Sequence, residues 1–326
     1  MADINIGQTL ATTLRNRRPE LRDNMSDNVA LYNRLRKKSR MMLDGGRDIV
    51  FPLEYAENGS FQFYSGYETL DISVNDIIDA AVFDWKQASC AVSISGLEQI
   101  RNSGRHAVIK LLASKIKNAQ KTFVNQMGAQ VYADGTGSGG KEIGGLGLLV
   151  PTTNTNTVGG IDANTYTFWR NQVLDFTDTN GGSATTSSNI QTAMRALWID
   201  CYQNNDHPDL ITMDDNYYSH YWGSLVSIQR ITGSDDAKAG FSGLKFAGPG
   251  GVADVVLDGG IGGNAAANTL FMLNTDYLAH ITHSDRDTEV VGGERHSVNQ
   301  DAQVQLILWA GNMAVSNRRM QGKGKE

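Results

Sequence analysis

The chain has little of what marks a secreted, membrane-spanning or disulfide-stabilised protein. Its 326 residues include two cysteines, Cys90 and Cys201, which cannot build a disulfide framework and which we interpret as small buried side chains. No apolar run approaches the roughly 18 to 20 residues of a membrane helix. The opening segment reaches Arg15, Arg17 and Arg18 without the apolar block of a signal peptide, so we expect synthesis and retention in a cytosol.

Basic residues are also in the minority. The 29 Lys and Arg against 35 Asp and Glu give a formal net charge of -6, which argues against a protein whose main surface binds nucleic acid. Basic residues gather in 15–22 and 317–325, which we interpret as solvated termini, with contact to a polyanion as the alternative. Proline is scarce at 5 residues and glycine abundant at 35, which is typical of a β-rich chain with many tight turns.

A recognisable catalytic motif is missing as well. The best metal-like cluster is His280, His283 and Asp285, but its surroundings predict strand and turn, which would point the two histidines to opposite sides. The glycine clusters at 248–251 and 259–263 lack the lysine of a phosphate-binding loop and are explained by turns. We therefore predict no catalytic residue, no cofactor and no metal, with a metal hydrolase using His280 and His283 as the alternative.

The residues that are present predict a mixed architecture. A short helix with Val29, Leu31, Tyr32 and Leu35 at helical spacing buries too little to be stable alone, so we expect it to pack against another element. After it, apolar residues alternate with polar ones, which predicts an extended antiparallel ribbon. Its apolar positions are Ile49, Phe51, Leu53, Tyr55, Phe61, Phe63, Leu70, Ile72, Val74, Phe83, Trp85, Val92 and Ile94.

A single long helix is predicted over 104–134. Its apolar stripe repeats every three or four residues through Val108, Leu112, Ile116, Ala119, Phe123 and Met127. Further along, Ser188 with Gln191 has the spacing of a capping box at the start of a second helix. Residues 210–213 form a predicted buried strand, and Asp214 can cap a third helix. Short strands separated by glycine follow, and Val304, Leu306 and Leu308 indicate a closing strand.

Three aromatic residues stand inside the Gly-, Thr- and Asn-rich stretch 135–189. Tyr166, Phe168 and Trp169 have no nucleophile, base or metal ligand beside them. Each ring can bury about 150 to 250 Å², so we predict that they anchor this loop onto the body of the protein.

Four segments resemble tailed-bacteriophage major capsid proteins, which have the Hong-Kong-97-like fold. The matching stretches are ALYNRLRKKSR (30–40), GGRDIVFPLEYAENGSFQFYSGYETLD (45–71), AVFDWKQASCAVSISGLEQIRNSG (81–104) and VGGIDANTYTFWRNQ (158–172). The similarity runs from about residue 27 to 172, and beyond that it lies mainly in the order of elements. The resemblance implies an α+β capsid fold.

The resemblance also implies named parts. They are an N-terminal arm (1–46), an E-loop β-ribbon (47–95), a peripheral domain (96–232) with its spine helix (104–134), an axial domain (233–299), and a return strand with a C-terminal tail (300–326). The E-loop side chains expected at intersubunit contacts are Phe51, Tyr55, Phe61, Phe63, Tyr64 and Tyr67.

As a member of this family the chain would self-assemble as pentamers and hexamers into an icosahedral shell. The shell would enclose double-stranded DNA without sequence-specific binding, and the expected location is the virion. A portal protein and a decoration protein would be further partners. An encapsulin-like nanocompartment shell is the alternative within the same fold.

Two features depart from parts of that family. Some relatives crosslink neighbouring subunits through an E-loop lysine, but the segment from Asp48 to Trp85 has no lysine, so we predict a non-covalent shell. Some relatives also begin with a long scaffolding segment. The stretch before Asp27 is too short and too poor in heptads for that role, so we expect a separate scaffolding protein.

Overall fold

The computed structural model describes residues 29–73, 76–101, 111–225, 244–260, 263–296 and 300–326. These residues form two compact units. The first takes its described residues from 88–127 and 285–309, and the second takes them from 29–87, 128–284 and 310–326. Among the described residues, no helix is long and apolar enough to cross a membrane.

Helices in the described ranges include one long element and several short ones. Their bounds are α1 Ala30–Lys38, α2 Gly96–Arg101, α3 Leu111–Tyr132, α4 Gly137–Gly140, α5 Leu146–Leu149, α6 Phe176–Thr179, α7 Ile190–Asp200 and α8 Asp215–Leu225, with a 3-10 turn at Thr167–Trp169.

The strands form two larger sheets and two hairpins. Their bounds are β1 Arg40–Leu43, β2 Ile49–Glu54, β3 Ile78–Phe83, β4 Lys86–Ser95, β5 Thr157–Val158, β6 Ile161–Asp162, β7 Gln172–Asp175, β8 Leu210–Met213, β9 Leu244–Gly248, β10 Gly251–Leu257, β11 Thr269–Leu273, β12 Leu278–His296, β13 Ala302–Val315 and β14 Gly322–Lys325. The sheet orders are β7-β14-β11-β8-β10-β9 and β1-β12-β13-β4, and the pairs β2-β3 and β5-β6 stand alone.

The six-stranded sheet and the helices α7 and α8 enclose the main core of the second unit. Met194, Leu197 and Trp198 of α7 and Tyr217 of α8 are buried in it together with apolar residues of the sheet. The predicted strand 210–213 is confirmed as β8, which is buried along its whole length. Such a run is typical of a central strand covered on both faces.

The two predicted helix starts have different outcomes. Asp214 does cap α8, because its carboxylate accepts the backbone N–H of Tyr217 at 3.1 Å. The prediction of Ser188 as the cap of α7 is wrong, since α7 begins at Ile190 with Asn189 at its N-cap position. The Asn189 side chain instead accepts the backbone N–H of Thr186 at 2.6 Å, so a turn before the helix takes the place of the capping box.

The C-terminal basic segment is not a solvated tail, contrary to the sequence-based interpretation. Strand β14 lies between β7 and β11, parallel to β7 and antiparallel to β11. Gly322 and Gly324 face α6 and α7, where a Cβ on Gly322 would meet Cys201 Sγ at 2.5 Å and one on Gly324 would meet the Phe176 ring. On the other side, Lys323 Nζ lies 5.1 Å from the centre of the Phe271 ring.

The short helix α1 packs against other elements of the second unit, to which it belongs, as expected for a helix that buries too little alone. Leu31, Tyr32 and Leu35 are buried. Lys38 donates a 2.8 Å hydrogen bond to Asp209, and its ammonium lies 3.0 Å from the Asp276 carboxylate. The chain then enters β1, which runs parallel to β12.

In the first unit, the long helix carries the predicted apolar stripe. Ala119 and Phe123 are buried, and Ala119 packs with Val92 of β4 and Ile307 of β13. The described part of this helix is Leu111–Tyr132, so residues 104–110, including Val108, lie outside the described ranges. The closing strand predicted around Val304, Leu306 and Leu308 is confirmed as β13. Cys201 is buried as predicted, whereas Cys90 is only half-buried, contrary to the prediction.

Candidate intersubunit surface

The observed antiparallel ribbon is shorter than the alternation of apolar and polar residues in the sequence predicted. Strands β2 and β3 pair antiparallel from Ile49 opposite Phe83 to Glu54 opposite Ile78. Beyond them, the described residues of 55–77 contain no strand. The alternation over 86–95 belongs to β4, which neighbours β13 in the four-stranded sheet. An alternating pattern shows which residues share a face, but it does not show which strand will pair with which.

The segment 56–73, which we call the tip, exposes most of its large apolar side chains. The exposed fractions are 78% for Phe61, 92% for Phe63, 64% for Tyr64 and 107% for Tyr67, and Leu70 and Ile72 are also exposed. The rings of Phe61 and Phe63 contact only edge to face, with centroids 5.3 Å apart. Exposed apolar surface on this scale makes the tip a candidate interaction surface.

Local polar contacts shape the tip. Asn58 accepts the backbone N–H of Ser60 at 3.0 Å, and Glu68 accepts that of Ser65 at 3.0 Å. Gly66 at the centre of the second turn has a φ of 61°, a left-handed conformation that glycine adopts without strain. A hydrogen bond from the Ser73 backbone N–H lowers the pKa of Asp71. The tip is therefore a folded turn structure that holds its aromatic rings outward.

The ribbon and tip are strongly acidic. Residues 48–85 contain eight Asp or Glu and no Lys, Arg or His, which gives this segment a formal charge of -8. A surface rich in carboxylates would repel this segment, whereas a basic one would attract it.

The base of the ribbon is braced by the loop that carries the predicted aromatic anchor. Phe168 stacks on Tyr55 with ring centroids 5.2 Å apart, and Tyr166 meets Tyr55 edge to face at 6.4 Å. Trp169 is buried and donates from Nε1 to the Val158 carbonyl at 2.9 Å. The backbone N–H of Val82 in β3 donates to the Gly159 carbonyl at 2.9 Å.

The six E-loop residues predicted at intersubunit contacts thus lie in two different environments. Phe61, Phe63, Tyr64 and Tyr67 are exposed on the tip. Phe51 packs instead against Phe83 within the ribbon, with centroids 6.3 Å apart, and Tyr55 contacts the loop. In the loop anchor itself, Trp169 is buried, Phe168 is half-buried and Tyr166 is 44% exposed.

A buried arginine ties this loop to the C-terminal segment, and sequence reasoning missed it. Arg318 is fully buried. Its guanidinium donates to the Leu149 carbonyl at 3.0 Å and to the side-chain oxygens of Asn156 at 2.8 Å and Asn171 at 3.1 Å. Burial lowers the pKa of Arg318 to about 10. Its partners are all neutral oxygens scattered along the sequence, so no local pattern could have identified the site.

A pocket of about 240 Å³ opens where the ribbon, the loop and the C-terminal segment meet. Its lining residues are Leu53, Glu54, Tyr55, Phe168, Trp169, Gln203, Ser316, Asn317 and Arg319. Leu53 and Trp169 are buried and Tyr55 and Phe168 are half-buried, and we call these four residues the floor; we call the polar members the rim, of which Glu54, Gln203 and Arg319 are exposed. Arg319 is exposed and makes no ion pair with another described residue.

The histidines considered as metal ligands are not brought together. Both lie on β12, and residues three apart on a strand point to opposite faces. His280 is buried with its ring 5.4 Å from that of Tyr32, whereas the His283 ring lies 5.8 Å from that of Trp85. In the described ranges, no group of three or more His, Cys, Asp or Glu side chains could hold a metal ion.

Comparison with known proteins finds similarity only in structure. No protein-family model matches the chain, and no curated protein matches it. The capsid asymmetric unit of cyanophage A-1(L) is 16% identical with a TM-score of 0.61, covering 94% of this chain and 96% of that one. The capsid of Myoviridae phage XM1 is 10% identical with a TM-score of 0.58, covering 97% of both chains.

The chain has the fold of tailed-phage capsid proteins. The α+β, Hong-Kong-97-like capsid fold expected from the sequence is therefore confirmed. The holo-SrpI encapsulin of Synechococcus elongatus PCC 7942 is also similar, at 7% identity and a TM-score of 0.54, covering 97% of this chain and 94% of that one. At these identities the likeness establishes the fold, which capsids and encapsulins share.

Proposed function

We propose that this chain is the major capsid protein of a tailed double-stranded DNA phage. Copies assemble as pentamers and hexamers into a non-covalent icosahedral shell around the genome. The observation that carries the proposal is the exposed, acidic and aromatic tip at the end of a ribbon on a capsid-type fold. Four solvated aromatic rings do not stabilise a monomer, so their exposure favours a role in binding.

The energetics of the tip favour a multi-copy assembly. Fully burying one large apolar side chain contributes about 1.5 to 3 kcal/mol, so one tip contact alone is weak after the losses on association. Many such contacts closing together give a stable shell by avidity. The absence of a lysine between Asp48 and Trp85 fits a shell without lysine crosslinks from the ribbon.

Within this proposal the parts are an N-terminal arm (1–46), an E-loop (47–95), a peripheral domain (96–232) with spine helix 104–134, an axial domain (233–299) and a return segment (300–326). The border at 232/233 falls between β8 and β10, which are parallel neighbours in one sheet. The intersubunit residues are proposed to be Phe51, Tyr55, Phe61, Phe63, Tyr64 and Tyr67.

The proposed partners beyond the chain itself are a separate scaffolding protein during assembly, a portal protein and a decoration protein. The proposed location is the virion, after synthesis in the cytoplasm of a bacterial host. The enclosed DNA is held without sequence-specific contacts, which agrees with the net charge of -6.

Electron microscopy of the chain expressed alone and with its neighbouring genes tests the proposal. Closed icosahedral shells, or capsomer rings that close only with a scaffolding partner, are the expected result. A protein that stays monomeric and monodisperse under both conditions would overturn it. A matched comparison uses the double variant Phe63→Ala, Tyr67→Ala beside Ile199→Ala, since Ile199 is 61% exposed outside the tip. Only the tip variant is expected to reduce the yield of closed particles.

The similarity to an encapsulin gives a second candidate, a nanocompartment shell that encloses cargo proteins. The contents of purified particles separate the two candidates. DNA inside particles from an infected host supports the phage capsid, whereas a co-purified cargo protein and no DNA supports the nanocompartment.

A further inference from the structure

Each copy of the chain carries two complementary surfaces, the tip and the pocket at the ribbon base. The tip displays rings that nothing covers, and the pocket at the ribbon base has an aromatic floor and a polar rim. From this relationship we infer that the pocket of one copy receives the tip of a second copy, with Tyr67 as the inserted side chain. The inference rests on the proposed function and names the surface that the tip binds.

The pocket has the size and lining for one aromatic side chain. Its volume of about 240 Å³ lies below the roughly 300 to 1,000 Å³ of pockets for drug-sized ligands. Tyr55 and Phe168 offer ring faces, on which a third ring can stack or meet edge to face. Gln203, Asn317 and Arg319 on the rim can hydrogen-bond a phenol hydroxyl. Tyrosine matches this combination better than phenylalanine does.

Tyr67 is the tip residue best placed to act as the insert. Its side chain is 107% exposed, more than any other large apolar side chain of the tip. It lies within the turn that the hydrogen bond between Ser65 and Glu68 closes, so its position is partly fixed before binding. Such rigid, exposed tyrosines are enriched among the residues that dominate interface energies.

Charge also matches between the two surfaces. The tip contributes Glu57, Glu68 and Asp71 without a basic residue, and the pocket rim contributes Arg319, which no described carboxylate neutralises. Glu54 lies on the same rim, so we expect the acidic tip to approach from the Arg319 side, because like charges repel there.

The side chain that enters the pocket comes from another copy, because the tip of a chain does not fold back into the pocket of the same chain. The ribbon is hydrogen-bonded up to the pocket, where the Tyr55 backbone N–H donates to the Ile77 carbonyl at 3.0 Å. Tip and pocket are both open in the same molecule. A surface that binds a different surface of an identical copy is heterologous, and such contacts close into rings when the rotation between copies allows it.

Crosslinking between differently labelled copies tests the contact. Two preparations, one carrying Thr69→Cys with Tyr67 intact and one carrying Gln203→Cys, are mixed before assembly and treated with a short bismaleimide. Both residues are exposed, so neither change disturbs the fold. The expected result is a crosslinked dimer in the mixture that is absent from each preparation alone, which also controls for the native Cys90. Ile199→Cys in place of Gln203→Cys is the matched control and is expected to give no such dimer.

Assembled particles without the dimer, or with an equal yield for Ile199→Cys, would overturn the inference and leave the capsid function intact. Failure of the unmodified chain to assemble under any condition would instead remove the proposed function. Hydrogen exchange on the unmodified chain is an independent measurement. Residues 61–73 and 316–319 should gain protection together on assembly, and unchanged exchange at 316–319 would contradict the contact.

The side chain itself gives a graded test. Tyr67→Ala is expected to raise the chain concentration needed for assembly by about tenfold or more, as for an interface residue worth at least 1.4 kcal/mol. Tyr67→Phe retains the ring and is expected to have a smaller effect. Equal effects of the two variants would exclude insertion of the ring as the source of affinity.

Discussion

The ring of Tyr55 stacks on that of Phe168 with centroids 5.2 Å apart and 18° between their planes. Tyr55 is the first residue after β2, and Phe168 lies in the loop whose neighbouring residue Trp169 is buried in the body. The stack therefore holds the end of β2 against this loop.

A double-mutant cycle on this pair is expected to show coupling. Offset aromatic pairs contribute about 0.5 to 1.5 kcal/mol beyond the area they bury. Tyr55→Ala and Phe168→Ala together should therefore lower the free energy of unfolding by less than the sum of their separate effects, by about that amount. Denaturant unfolding of the unassembled chain measures it. Phe63→Ala, at a position 92% exposed, is the control and should change stability by at most about 0.5 kcal/mol.

Local patterns in the sequence predicted much of the fold. The apolar run at 210–213, the Asp214 cap and the stripe through Ala119 and Phe123 each depend on residues within a few positions of one another. Such local patterns predict structure reliably, because the backbone fixes the period at which residues of a helix or strand return to the same face. The order of these elements, together with four segments that resemble phage capsid proteins, indicated a capsid-type fold.

Partners distant in sequence could not be predicted in this way. The strand 86–95 was read as part of the ribbon, yet it lies beside β13. The basic C-terminal segment was read as solvated, yet β14 completes a sheet. Its alternating glycine and lysine residues at 322–325 were a usable signal, since small residues on one face and long ones on the other suit a strand packed tightly on one side. Arg318 had no such signal.

Arg318 is expected to be essential for stability in the unassembled chain. Arg318→Ala leaves the Leu149 carbonyl and the Asn171 side-chain oxygen buried without their donor, and the half-buried Asn156 side-chain oxygen also loses its donor. An unsatisfied buried polar group costs about 1 to 3 kcal/mol, so the loss in unfolding free energy should exceed about 3 kcal/mol. Arg319→Ala is the matched control, because this exposed neighbour should change the same quantity by at most about 0.5 kcal/mol. Similar losses for the two variants would contradict the assigned role of Arg318.

The close approach of β14 to α7 predicts a rescue between two positions. In Gly322→Ala the new methyl group meets Cys201 Sγ at 2.5 Å, and such overpacking typically costs about 1 to 3 kcal/mol. Cys201→Ala removes the sulfur and makes room. The double variant should therefore be more stable than Gly322→Ala alone, as measured by thermal unfolding. A double variant less stable than both single variants would show that the clash lies elsewhere.

The attachment of α1 through Asp209 is expected to weaken in acid. Burial alone would raise the pKa of Asp209, but hydrogen bonds from Lys38 and from the Thr275 side chain and backbone N–H outweigh it and lower the pKa. A carboxyl group with a lowered folded-state pKa stabilises the fold above its unfolded pKa of about 3.9, and this contribution disappears as the pH falls through the folded value. The stabilisation should therefore be complete at pH 5 and above.

Asp209→Asn separates this effect from general acid unfolding. The difference in unfolding free energy between the unmodified chain and the variant should be constant from about pH 7 to pH 5 and should shrink below about pH 4. Asp276→Asn is the control, because its carboxylate also meets Lys38 but its side chain is 70% exposed, and exposed ion pairs contribute at most about 1 kcal/mol. If the Asp209 difference stayed constant down to pH 3, its ionised carboxylate could not be what holds α1 in place.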